Sequence, residues 1–264
     1  LDEQIAAAFK PTPANTLRGV YQQMLIMALS NPFHLAEGAA FELFGALAPV
    51  ASLGRLLAWD NEDESDGPVV DLCESQPCLA VDQKPESPSE HLRRLELGAL
   101  LVALHEPAPL QTAIQRQLLE QVRPHWLGRL QRRHERTDTN GSCNLVMGLA
   151  RIHNRLLGHS TEQSSAQMLD SSAGGTCLLC NGDQGSELSV GKPLLLLGGN
   201  GTSTLAMVRW RHLNAEGLHL GLRYLKGLPR PVWLRRAPGA QTHPGVLQST
   251  PDTGSVWHHG LWLP

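Results

Sequence analysis

Aromatic side chains are scarce in this chain: two Tyr, four Phe and six Trp make up 5% of its 264 residues. A stacking platform of the kind single-strand nucleic-acid binders use therefore has little material here. Positive charge is not in excess either. The 22 Lys and Arg stand against 25 Asp and Glu, giving a formal net charge of −3, so no global basic field advertises a nucleic-acid partner. Long apolar runs are absent. None approaches the roughly 18 residues of a membrane span, and no signal peptide opens the chain, so membrane insertion is not expected. The first residue is Leu1 rather than Met, and the chain is expected to be a processed or excised piece of something longer. Its five cysteines are an odd number in a chain too long to need covalent staples, which favours a reduced, cytoplasmic setting.

Chemistry is also thinly supplied. Cys177-Leu-Leu-Cys180 is a lone C-x-x-C inside an expected strand, where side chains three apart point to opposite faces, a poor start for zinc. The 12 histidines are scattered, and His258-His259 has no partner at ligand spacing. GGNG at 198–201 lacks the Lys-Ser/Thr of a phosphate-binding loop and reads as a hairpin turn. No G-x-S-x-G or nucleophile–base arrangement is evident. Neither catalysis, a metal nor a cofactor is expected.

What the chain does have is 41% hydrophobic residues, enough for a core, and 25 Gly with 18 Pro, which promise many turns. At about 150 residues per domain the length suggests two modules. Residues 16–29 place Leu17, Val20, Tyr21, Met24, Leu25 and Ala28 at helical spacing behind Asn15 as a cap, and Asn31-Pro32 ends the run. A second Ala-rich stretch, about 36–57, reads as helix interrupted at Pro49. DNEDESD, from Asp60, reads as a solvated acidic loop. Ser87-Pro88-Ser89-Glu90 has the form of a capping box, and predicts a helix carrying Leu92, Leu95, Ala99 and Val102 to about His105. A further helix after Pro109 carries Leu110, Ala113, Ile114 and Leu118, until Pro124 kinks or ends it.

The texture changes near residue 130. SCNLVMGL, LLLLG, TLAMVRW and GLHLGLRYL are short apolar runs punctuated by glycine. Leu218, Leu220, Leu222 and Tyr224 alternate with His219, Gly221 and Arg223, the period of a half-buried strand. The expected fold class is α+β. A helical region at 1–128 precedes an antiparallel β module at 129–236, and the tail at 237–264 adds one extra strand around Trp257–Leu263.

Two motifs bracket the first strands. Arg132-Arg133-His134-Glu135-Arg136 is an R-x-x-x-R within a local cluster of five arginines, a candidate anion grip in a net acidic chain. Asp170-Ser171-Ser172-Ala173-Gly174-Gly175 is a D-x-S-x-x-G. On a strand Asp170 and Ser172 share a face, so a carboxylate and a hydroxyl can take the donor edge of guanine, while Gly174 and Gly175 permit close backbone approach. The same letters also make an ordinary turn. Arginines grip phosphates and stack on purines. Taken together, the two motifs describe a site for an anionic, guanine-containing small ligand.

The order of these motifs, followed by strands ending in MVRW and HLGLRYL, resembles the PilZ domain over roughly residues 130–236. That family comprises bacterial receptors for cyclic di-GMP, built as six-stranded β barrels. The resemblance implies that Arg132 and Arg136 clamp phosphates and guanines, and that Asp170, Ser172 and Gly175 are the marked positions of the strand motif. Arg133 and Gly174 are their neighbours in the site. The N-terminal GVYQQMLIMALSNPFHL resembles, less specifically, the helical region of longer PilZ proteins linked to type IV pili. It implies a protein partner in pilus or motility control. ARIHNRLLGHSTEQSSAQ, between first strand and Asp170, is longer than the family's usual connection and holds a second R-x-x-x-R, Arg151 to Arg155. The competing expectations are a ligand-independent adaptor and a general nucleic-acid binder working through Arg123–Arg136.

Overall fold

The computed structural model describes residues 16–59, 67–74, 78, 89–104, 112–128, 134–180, 187–198, 201–235, 237–251 and 256–262. The chain divides into two compact units, Leu1–Gln131 and Arg132–Pro264.

The first unit opens with helix α1 (Leu17–Leu29). Its cap is Thr16, whose Oγ1 accepts the Gly19 N–H at 3.0 Å; the expected cap, Asn15, lies outside the described residues. Helix α2 (Ala39–Leu47) starts behind Gly38 at φ 78°, and a 3₁₀ turn covers Ala51–Leu53. The second half of the expected 36–57 helix is instead strand β1 (Arg55–Ala58). It joins β2 (Val69–Asp71) and β3 (Leu92–Glu96) in a sheet of order β1-β3-β2.

The capping-box helix expected from residue 87 is thus overturned over 92–96. Leu92 and Leu95 are three apart, as on a helix, but Leu92-Arg93-Arg94-Leu95 is the middle strand, hydrogen-bonded on both edges, and pairing overrides local propensity. Ser89 Oγ instead accepts the His91 N–H at 3.2 Å in a turn. Helix α3 is only Gly98–Ala103, and it leaves Val102 exposed.

Helix α4 (Ala113–Trp126) is opened by a reciprocal capping box between Thr112 and Gln115, and runs two residues past Pro124. Its buried stripe is Leu118, Leu119, Val122 and Trp126, whereas Ile114 is exposed. The Trp126 indole N–H donates to Ser30 Oγ at 2.9 Å, tying the end of α4 to the end of α1 within a core that includes Ile26, Leu43, Leu47, Leu95 and Leu100. Trp126→Phe removes that donor and some volume. It should lower the stability of this unit by about 1–3 kcal/mol, read as a lower urea midpoint at unchanged slope.

In the second unit six strands close an antiparallel barrel: β4 (Thr137–Met147), β5 (Ser164–Ser172), β6 (Gly175–Cys180), β7 (Pro193–Leu197), β8 (Ser203–Asn214) and β9 (Gly217–Tyr224), in the order β4-β5-β6-β9-β8-β7. The α+β reading and the six-stranded barrel therefore both hold. Leu145, Leu178, Leu194, Val208, Leu218, Leu220 and Leu222 fill the interior. Helix α5 (Leu149–Leu156) forms in the long connection before β5.

On the outside of the barrel Val146, Leu195 and Leu205 pack with Ile152 of α5 and with Val246. Because β4 and β7 are covered on both faces there, their sequences read as unbroken apolar runs instead of alternating. Val246 belongs to a second sheet, ordered β10-β11-β12, made of β10 (Leu228–Arg235), β11 (Thr242–Pro251) and β12 (Val256–Trp262). The tail thus supplies two strands where one was expected, and the barrel itself ends at Tyr224. No helix among the described residues is long and apolar enough to cross a membrane.

Candidate functional site

Strand parity decides which side chains leave the barrel. Leu178 and Cys180 of β6, and Leu218, Leu220 and Leu222 of β9, point inward. Gly175, Cys177, Gly221 and Arg223 therefore lie on the outer face. On β5, Ala166 and Met168 belong to the interior, and simple alternation would send Asp170 inward after them. A β-bulge between Met168 and Asp170 inserts Leu169 as an extra residue, and Asp170 pairs with outward Cys177. A second bulge, between Val208 and Trp210 on β8, does the same for Trp210, which pairs with outward Gly221. The result is a cross-strand row of Asp170, Cys177, Gly221 and Trp210. Beside it runs a row of Ser172, Gly175, Arg223 and Met207.

Arg136 stands immediately before β4, which pairs with β5 at Thr137↔Ser171 and Asp138↔Asp170. Its Nη1 donates to both carboxylate oxygens of Asp170, at 2.9 and 2.7 Å. The two side chains are 26% and 21% exposed, so the pair is shielded but reachable from solvent. Asp170 Oδ1 also accepts the Cys177 N–H at 3.0 Å, and its backbone oxygen takes the Thr176 hydroxyl. The carboxylate is thus already engaged by the arginine. Its clearest role is to aim Arg136, whose Nη2 and Nε have no partner among the described residues and can donate outward.

Ser172 and Gly175 close the hairpin between β5 and β6. Ser172 Oγ donates to Gly175 O at 3.1 Å and accepts the Gly174 N–H at 3.3 Å, so the D-x-S-x-x-G letters do build a turn. Both glycines are demanded by space. A Cβ on Gly174 would sit 2.7 Å from the His134 ring, and one on Gly175 would sit 1.9 Å from Leu222 O. His134 therefore lies against the hairpin, and with Arg136 it brings the segment before β4 onto the same face. A Cβ on Gly221 would fall 1.8 Å from the Trp210 indole nitrogen, so the five-membered ring of the indole covers that glycine.

The two motifs converge as the sequence suggests: Arg136, Asp170, Ser172, Gly174 and Gly175 share one face. Arg132 and Arg133 lie outside the described residues. The rival pair separates from the site. Arg151 is spent on Met147 O at 2.8 Å, on Glu162 at 2.9 Å and on Glu187, which holds the start of α5 in place. The hydrogen bond to Glu187 is the main reason its pKa is raised.

Sequence reading did not single out Trp210, Arg209, Arg223 or His134 as members of this face. The run MVRW paired with GLRY contains three of them, and only the bulge shows that they project outward together. The C-x-x-C splits as expected, with Cys180 inside and Cys177 in the outer row. Burial, then the charges of Cys143 and Cys177, pushes the Cys180 thiol up to about 12. Burial and Asp170 also raise Cys177, against the opposing pull of Arg136. Neither thiol is poised as a thiolate. Among the described residues no group of three His, Cys, Asp or Glu is placed to hold a metal ion. What this face offers is an outward guanidinium fixed by a carboxylate, a floor bare of side chains at three glycines, and an indole beside it. No family model matches the chain, and no curated protein matches it.

Proposed function

We propose that the chain is a non-enzymatic cytoplasmic receptor for the bacterial second messenger cyclic di-GMP, acting in the manner of the PilZ domains it resembles. The observation that carries this reading is the meeting of Arg136 with Asp170 beside the Ser172–Gly175 hairpin on the outside of a closed six-stranded barrel. Asp170 aims the guanidinium and leaves its outer donors for a phosphate or for the O6/N7 edge of guanine. The glycine floor admits a flat base against the backbone, and Trp210 supplies an aromatic surface at its margin.

Arg132 and Arg136 flank the start of the second unit, whose first residue is Arg132. A ligand drawn against the barrel by these arginines thereby takes hold of the chain segment that leads back to the helical unit. It biases that segment only by its differential affinity for the gripped and released states. The change is passed to a protein partner in pilus or motility control.

The test is a thermal-shift series on the whole chain with cyclic di-GMP, GTP and cyclic AMP. Cyclic di-GMP alone should stabilise it, by about 2.7 kcal/mol at one hundred times Kd. Equal or absent stabilisation by all three nucleotides would return the chain to a ligand-independent adaptor.

A further inference from the structure

We propose that Arg209 and Arg223 form a second anion subsite, which receives the phosphodiester of a bound cyclic dinucleotide that Arg132 and Arg136 do not hold. The inference rests on the nucleotide-receptor reading above.

Arg223 lies in the same outer row as Ser172 and Gly175, two strands away from Ser172 and so about 10 Å across the sheet. Arg209 is the extra residue of the bulge that turns Trp210 outward, one register step from Arg223's partner Met207 on the same strand. Both arginines are exposed. Among the described residues neither has an acidic partner, and the charge each feels is the other's. Elsewhere in this unit the outer arginines are answered: Arg136 by Asp170, and Arg151 by Glu162 and Glu187. Burial first, and Arg223 second, lowers the pKa of Arg209. Two cations held together without a counter-ion make a place where an anion relieves repulsion.

The ground between the two arginine sets is open. Gly175 and Gly221 contribute no side chain, and Cys177 between them is buried. A cyclic dinucleotide carries two phosphodiester monoanions on one ring. A clamp at the β5 margin neutralises one of them, and a guanidinium pair at the β9–β8 margin can take the other through paired N–H donors.

Calorimetric titration of the whole chain with cyclic di-GMP tests this, using Arg209→Gln and Arg223→Gln. Each variant should weaken binding about 10-fold or more, as loss of a charge-assisted contact implies. The melting temperature without ligand should stay equal or rise, because a like-charge neighbour has gone. Should a glutamine variant fail to fold, the lysine variants serve: they keep the charge but lose the paired donors, and should weaken binding about 3-fold or more. A wild-type chain that does not bind cyclic di-GMP overturns the receptor reading and this subsite with it. A wild-type chain that binds, with variants of unchanged affinity, overturns the subsite alone. So does a loss of affinity matched by an equal loss of stability in the unliganded variant.

Discussion

Gly175→Ala is expected to lower the stability of the barrel unit by about 3 kcal/mol or more, among the largest effects a single methyl group can have. The reason is that the added carbon meets backbone. It would lie 1.9 Å from Leu222 O and 3.0 Å from the Leu222 carbonyl carbon, so no rotamer change clears the clash. Strands β6 and β9 would have to separate at the pairs Gly175↔Arg223 and Thr176↔Leu222, next to the hairpin that holds Ser172. Urea unfolding followed by tryptophan fluorescence measures this, as a lowered midpoint. A loss below about 0.5 kcal/mol, the scale of an ordinary surface substitution, would mean that the strands are not so tightly apposed. Gly174→Ala makes the comparison: its added carbon meets only the movable His134 ring, and it should cost far less.

Arg136→Ala is expected to weaken cyclic di-GMP binding by about 30-fold or more, since it removes one partner of a charge-assisted contact worth about 2–5 kcal/mol. Calorimetric titration reads it directly. The same substitution costs stability without ligand, because Asp170 is left with the Cys177 N–H as its only remaining partner for the carboxylate. With both side chains partly open to solvent, that cost should be modest, about 1 kcal/mol. The two readouts separate the roles of the residue. A variant that loses stability but keeps its affinity would show Arg136 to be a brace for β5 and nothing more.

The residues explain which parts of this molecule can be read from its letters. The alternation of Leu218, Leu220 and Leu222 with His219, Gly221 and Arg223 is a strand in sequence and in space, because one side of β9 faces the interior and the other faces out. β7 resists the same reading: Leu194 and Leu196 are interior, Leu195 packs outside against α5, and a strand covered twice shows no period. Leu92 and Leu95 misled for the opposite reason. A spacing of three suits a helix, and only pairing with β1 and β2, both far away or short, reveals β3.

For the site, the motif letters placed Arg136, Asp170, Ser172, Gly174 and Gly175 together correctly. They could not show that Arg136 binds Asp170, which makes the carboxylate a support for the arginine more than a reader of the base. Nor could they show Trp210, Arg209 and Arg223, since these reach the face through a bulge whose extra residue carries no signature. Gly221 gives the one faint sign, a small residue opposite a large ring, and it means something only once the register is known.

The paired bulges have a consequence for how such a chain can change. Leu169 and Arg209 act as phase shifters: each resets the odd–even beat of its strand just before Asp170 or Trp210 is placed. Deleting either residue would leave every motif letter intact and yet swing the carboxylate or the indole toward the oily lumen. The recognition face is therefore written partly as a ruler. Its tolerance to changes of residue type at 169 is wide, and its tolerance to changes of strand length is close to nil.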